Sequence, residues 1–340
     1  MIDLGTFNTE ITKIFLLSLF AFALAIAITP IYTYFAYKHK WWKQKRTTSS
    51  DGKKLSVIAK LSTRKRTVPT MAGLIIVVAV SVTTIIFNLD RQQTWLPLAG
   101  LIGGGIIGLM DDIINVKGNG QGVAGLRAHI KLILITAVAT GAALFFYYKL
   151  GYTSIHVPFS GEFVIGWLLI PLFILAVVST SNAVNISDGL DGLAGGLLLS
   201  AFGSFGIIAA LQGNWGISAF CMTVAGALLA YVWFNIPPAR FFMGDVGSFS
   251  LGTALGVVAM LTDTLFLLPI IAFIFVLEAG SSLSQILSKK FLNRRIFIAA
   301  PLHHHLEAIG WPKTKVTMRF WIIGQVTAII GIILALIGGF

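Results

Sequence analysis

A few short stretches of this chain carry ionisable side chains in an otherwise apolar sequence. Asp111 and Asp112 stand side by side after Gly108-Leu109-Met110. Adjacent carboxylates repel each other unless a cation or a donor compensates. Hard oxygen ligands of this kind suit Mg²⁺, which keeps several waters and bridges to substrate phosphates. The plainer alternative is a helix end finished by solvated aspartates. A second stretch places Asn182, Asn185, Asp188 and Asp191 three apart. On a helical segment residues at that spacing are neighbours on one face, which gives a ladder of two amides and two carboxylates. Gly189 and Gly192 within it let the backbone approach a ligand closely.

A third stretch runs from Asn235 to Ser248, with Asp245 between Gly244 and Gly247 just before an apolar segment. Amides at that helix N-terminus could hold phosphate, and Asp245 could carry the metal that the phosphate shares. Phe241 and Phe242 could stack on a base or be interfacial residues. A fourth stretch is Pro301-Leu302-His303-His304-His305. Three successive histidines cannot all point one way; in an extended loop His303 and His305 share a side. Zinc would use imidazole, but no HExxH spacing or cysteine partner accompanies them. Donation to diphosphate oxygens is the preferred reading. The basic run from Lys38 to Arg66 is explained mostly by topology and by attraction to anionic lipid, at about 1 kcal/mol per residue. Lys65, close to Pro69-Thr70-Met71, is the exception.

The elements that must position these residues are membrane helices. Of 340 residues 56% are hydrophobic and 11% charged, against about 25% charged in soluble domains. The periodic apolar stretches predict an all-α polytopic membrane protein of about ten helices. They run roughly 12–36, 71–88, 95–110, 129–149, 163–181, 193–211, 217–234, 248–262, 265–287 and 316–338. The first apolar stretch is too long for a signal-peptide core and lacks a cleavage site, so it reads as a retained helix. The single cysteine, Cys221, excludes disulfides within the chain. The expectation is one integral-membrane domain over 1–340.

All but three (Lys13, Arg91, Lys149) of the 25 Lys and Arg fall on one set of loops and adjoining helix ends. The positive-inside rule makes that set cytoplasmic, with both termini outside. The net charge of +12 therefore reports topology and does not point to nucleic acid. The aspartates and histidines reach the same cytoplasmic side as Lys117 and Lys131. Carboxylates sit at helix ends, away from the midplane, where a charge costs about 2.5–3.5 kcal/mol on insertion scales. Glu278, deep in the ninth helix, is the one ionisable group of the kind a transport pathway would use. The Gly151–Glu162 connection alternates apolar and polar residues and reads as a small external hairpin.

Taken together, Val68-Pro69-Thr70-Met71-Ala72-Gly73, Asp111-Asp112, Asn182 through Gly195, Phe234 through Ser248 and Pro301 through Trp311 resemble one family, the polyprenyl-phosphate N-acetylhexosamine-1-phosphate transferases. The resemblance runs from about Lys65 to the final helix. PLHHHLEAIGW, followed by Arg319-Phe320-Trp321, points to its muramoyl-pentapeptide branch. The resemblance implies ten membrane helices, a cytoplasmic cleft in the bacterial inner membrane and Mg²⁺. It also implies UDP-N-acetylmuramoyl-pentapeptide and undecaprenyl phosphate as substrates, with UMP released. It assigns catalytic roles to Asp111, Asp112, Asp245 (the metal ligand) and His303. Asn182, Asn185, Asp188, Asp191, His304 and His305 become substrate contacts. Asn235 and Phe242 fall where the family contacts uridine, and Lys65, Thr70 and Lys131 where polar residues line the cleft. The chain departs from the family at Val68 and Ala72, at Asn115 in place of a lysine, and at His129 in place of an arginine.

Two other functions use the same features. The same transfer from UDP-N-acetylglucosamine would serve another surface polymer, and a transporter or flippase would move substrate without releasing UMP. A homodimer through lipid-facing helices is compatible with the sequence, which does not decide it.

Overall fold

The computed structural model describes residues 4–42, 68–90, 92–118 and 125–339; Lys65 and most of the basic run lie outside them. In chain order the helices are α1 (Leu4–Lys38), α2 (Gly73–Phe87), α3 (Trp95–Lys117) and α4 (Ala128–Tyr148). A hairpin of β1 (Ser154–Val157) and β2 (Gly161–Val164) follows. Then come α5 (Leu169–Ser187), α6 (Leu193–Leu211), α7 (Trp215–Asn235) and α8 (Gly244–Leu261). The chain ends with α9 (Leu268–Ile271), α10 (Phe273–Phe291), α11 (Leu302–Ala308) and α12 (Lys313–Gly338).

Among the described residues eight helices are long and apolar enough to cross a membrane, and nine if the bent pair α9 and α10 is one span. The expected ten includes α2, whose 15 residues reach about 22 Å at 1.5 Å per residue, short of the ~30 Å hydrocarbon core. The expected straight ninth helix is instead broken by 83°, at Ala272, whose φ of −98° and ψ of 30° are not helical. Below the break α10 is polar inward and apolar outward. Glu278, Ser281, Gln285 and Ser288 are buried, while Val276, Leu283, Ile286 and Leu287 are exposed. That inversion suits a helix with lipid on one side and protein on the other.

At the centre stands α8, all of whose residues are buried. It packs most extensively against α3 and α5. Tails of lipid are as apolar as leucine, so helices in a bilayer associate through close packing, and small residues allow it. Gly108 on α3 shows how close: a Cβ there would overlap the Asp245 carbonyl on α8. The expected hairpin is present, with Ser154 opposite Val164 in antiparallel register. It is tied to the bundle where the His156 N–H donates to Asp263 Oδ1 at 2.9 Å and the Phe159 N–H to Gly338 O at 3.1 Å.

Gly108→Ala is therefore expected to wedge α3 from α8. Overpacking costs about 1–3 kcal/mol, so the apparent Tm of the purified protein should fall by several degrees. A Tm equal to that of the parent protein, in detergent thermal unfolding, would contradict this packing.

Candidate active site

The two aspartates do not end a helix. α3 continues through them to Lys117, and both are fully buried, so the solvated-aspartate alternative fails. Adjacent helical positions point about 100° apart, and the two carboxylates accordingly serve different neighbours. Asp111 Oδ2 lies 3.4 Å from Lys131 Nζ on α4, and Asp245 Oδ2 lies 3.2 Å from the same ammonium. Asp111 Oδ1 also accepts the Leu126 N–H at 2.5 Å. Asp112 turns the other way, and its Oδ2 accepts the Val246 N–H at 3.1 Å. It thereby satisfies one of the donors left open in the first turn of α8, where negative charge is favoured by the helix dipole. Asp245 is itself in that first turn.

Thr70 is buried and does not line an open cleft. It sits behind Gly244, where a Cβ would stand 2.8 Å from its Oγ1. Its carbonyl accepts the Tyr32 hydroxyl at 2.5 Å.

The expected ladder is split, because α5 ends at Ser187. Asn182 and Asn185 are on the helix, Asp188 is its non-helical cap, and Asp191 lies in the following turn. Asn182 Nδ2 donates to Val178 O of its own helix at 2.8 Å. Asn185 Nδ2 donates to Ser248 Oγ on α8 at 2.8 Å, which joins this segment to the aspartate cluster. Asp191 is buried and its Oδ2 accepts the Ala239 N–H at 3.2 Å.

Asn235 braces the site from within. Its Oδ1 accepts the Gly192 N–H at 2.9 Å and its Nδ2 donates to Phe241 O at 2.8 Å, so both ends of the amide are engaged by the chain. Of the two phenylalanines, Phe241 is core, packed against Tyr32, Tyr231 and Phe234. Only Phe242 keeps a partly exposed ring.

The histidines lie on a helix, α11, in place of an extended loop, so His303 and His305 do not share a side. Each takes a separate direction. His303 is buried, with Nδ1 2.6 Å from Glu278 Oε2. His304 Nδ1 lies 2.8 Å from Glu307 Oε2, and His305 Nδ1 accepts the Ile298 N–H at 3.3 Å. Burial alone would raise the Glu307 carboxyl; the bond to His304 and the charge of Lys313 outweigh it and hold the group below its ordinary value. Among the described residues no three His, Cys, Asp or Glu side chains gather as a metal cage.

The histidine and aspartate segments meet at Gly189, beside which the His303 ring lies. The role of Glu278 as the partner of His303 was missed by sequence reasoning. Its signal was there: a carboxylate in an apolar helix needs a partner, and the inward stripe with Ser281, Gln285 and Ser288 names the face.

Truncating Asn235 to alanine removes two buried hydrogen bonds and leaves the Gly192 and Phe241 groups unsatisfied, at about 1–3 kcal/mol each. The expected result is a lower Tm together with weaker nucleotide binding. Weaker binding at an unchanged Tm would instead make Asn235 a direct contact.

The model of glycosyl transferase family 4 matches residues 94–263. Phospho-N-acetylmuramoyl-pentapeptide-transferase of Chloroflexus aggregans is 41% identical over 344 residues, covering 97% of this chain and 91% of its own. The enzyme of that name from Bacillus anthracis is 37% identical over 322 residues, covering 92% and 94%. Joined to the multi-span helical fold and the buried acidic cluster, these matches make the chain a membrane transferase that belongs to glycosyl transferase family 4.

Proposed function

We propose that this enzyme transfers phospho-N-acetylmuramoyl-pentapeptide from its UDP-activated form to undecaprenyl phosphate at the cytoplasmic face of the bacterial inner membrane. The products are the lipid-linked diphosphate and UMP. The observation that carries the reading is the convergence of Asp111 and Asp245 on one cation, Lys131 Nζ, at the N-terminus of α8. The names of the relatives and the PLHHHLEAIGW stretch support the choice of substrate.

The donor set fits Mg²⁺. This ion takes one or two carboxylates and completes its shell with waters and substrate phosphates, so it needs no cage of three protein ligands. Asp245 would hold it, with Asp111 adjacent; when bound, it supplies neutralisation of phosphate charge. His303 and His304 each have Nδ1 engaged by a carboxylate, which leaves Nε2 as the nitrogen for polar contact with substrate.

The remaining work falls to the chain. Phosphoryl transfer demands positioning and charge stabilisation more than covalent help. The acceptor is a phosphate monoester whose second pKa is about 6, already largely dianionic at neutral pH. Proton abstraction by Asp111 would therefore contribute little, and its carboxylate acts to hold the Lys131 ammonium in place for the acceptor phosphate. Asp112 anchors the first turn of α8, whose remaining N–H groups face the phosphates. The partly exposed ring of Phe242 suits stacking on the uracil. The 22 of the 25 Lys and Arg (25 less Lys13, Arg91 and Lys149) that share one set of loops and helix ends make that side cytoplasmic by the positive-inside rule.

UMP release by the purified protein tests this, with undecaprenyl phosphate, Mg²⁺ and either UDP-N-acetylmuramoyl-pentapeptide or UDP-N-acetylglucosamine. Release with the first donor alone is expected; release only with the second would keep the family and overturn the substrate. Asp245→Asn should lower turnover by about 10²-fold or more while the protein inserts and purifies normally, and near-parental turnover would refute the metal assignment. Direct displacement further predicts inverted configuration at the transferred phosphorus. Retention, read with a chiral phosphorothioate donor, would require a covalent aspartyl intermediate.

A further inference from the structure

Glu278 is completely buried in α10, and both its oxygens go to a single residue. Oε1 accepts the His303 backbone N–H at 3.1 Å, and Oε2 lies 2.6 Å from His303 Nδ1. An ionised carboxylate only accepts, so Nδ1 carries the proton in this bond. Two attachments to one residue fix both the start of α11 and the plane and tautomer of the ring. The second ring nitrogen, Nε2, is buried with no hydrogen-bond partner. It points at Gly189, where any Cβ would collide with it.

Gly189 is exposed and follows Asp188 in the turn that leads from α5 to Asp191. Only the backbone of this exposed glycine covers Nε2 on that side. Buried polar atoms are as a rule satisfied by protein, water or ligand. Here the chain provides every bond to the ring except the one on that side.

We propose that Glu278 is a positioning residue that holds His303 as an Nε2–H donor to a phosphate oxygen of the nucleotide-sugar beside the Gly189 turn. An anionic oxygen accepts and does not donate, so Nε2 must bear a proton in that contact. With Nδ1 protonated as well, the ring is a cation and Glu278 its counter-ion. Among its titratable neighbours, His304 has its ring centroid 4.2 Å away and is engaged by Glu307, and Asp188 directly precedes the Gly189 on which the ring packs. This inference rests on the transferase reading above, and it adds the group that sets the state of the histidine.

Glu278→Gln keeps the size and shape of the side chain. Its single carbonyl can still accept the His303 N–H, but its NH₂ then faces Nδ1. That arrangement suits only the neutral tautomer with its proton on Nε2, which keeps the donor to phosphate but loses the positive charge. The experiment compares full-length wild type, Glu278→Gln, His303→Gln and the double variant in lipid nanodiscs. It measures UMP release and the ¹⁵N resonances of the His303 ring, assigned by their loss in His303→Gln.

His303→Gln, which removes the donor, should lose about 10²-fold in turnover; Glu278→Gln, which keeps the Nε2 proton and removes the charge, should lose a smaller part of it, both mostly in kcat. The double should lose no more than the worse single, because Glu278 acts through His303. In spectra recorded with the UDP-activated donor bound, both ring nitrogens of the wild type should carry protons, and only one in Glu278→Gln. Losses that multiply in the double variant, or wild-type turnover in either single variant, would overturn the proposal. A wild-type His303 ring that is neutral with the donor bound would overturn it whatever the activity. Absence of UMP release from the wild-type protein would instead sink the transferase reading, and the ring spectra would still decide whether Glu278 holds a cation.

Discussion

One ammonium holds the polar end of this bundle together. Lys131 Nζ lies between carboxylates from two other helices, at 3.4 Å from Asp111 and 3.2 Å from Asp245. Without a cation there, two carboxylates in a largely desolvated setting would repel each other and push α3 from α8. With it, α3, α4 and α8 must converge at one end. The convergence has a steric condition, met where Gly108 lets the Asp245 carbonyl lie against α3. Electrostatics and packing therefore act at one point: the ion pairs form where Gly108 permits the close approach.

From that point a continuous set of contacts spreads across the site. Asp112 fastens the first turn of α8 through the Val246 N–H. One turn further, Ser248 receives Asn185 from α5. The chain then leaves the helix at Asp188 and passes Gly189, against which His303 rests, itself clamped by Glu278 from α10. Asn235 and Asp191 stitch the same turn to the loop before α8. Motifs scattered over nearly 200 positions thus become one layer, because each is placed at the same end of a helix or just beyond it.

The sequence made much of this legible. Hydropathy located the spans, and charge asymmetry gathered Asp111, Asp245, Lys131 and His303 on one side. The alternation of Ile155, Val157 and Phe159 marked the hairpin. What it hid were features that depend on tertiary context. A period of three suggested one helical face from Asn182 to Asp191, but α5 ends at Ser187 because the chain must turn to start α6. Asn235 looked like a ligand contact, and the structure turns both ends of its amide inward. Phe241 and Phe242 are indistinguishable by type, yet one is core and the other is partly open. The 83° break at Ala272 has no proline or glycine at its apex to announce it.

The charge of the layer bears on how anionic substrates enter it. Asp111, Asp112 and Asp245 carry three formal negative charges against the one positive charge of Lys131, and the Glu278–His303 pair adds none if both are ionised. A lipid phosphate and a nucleotide diphosphate would then meet a net negative surface. Binding must therefore be accompanied by additional positive charge, either brought by the substrate with its divalent ion or contributed by basic residues outside this layer. The acidic residues are then not obstacles to phosphate binding. They make it conditional on the cation, so that the two anionic substrates meet only where their repulsion is already neutralised.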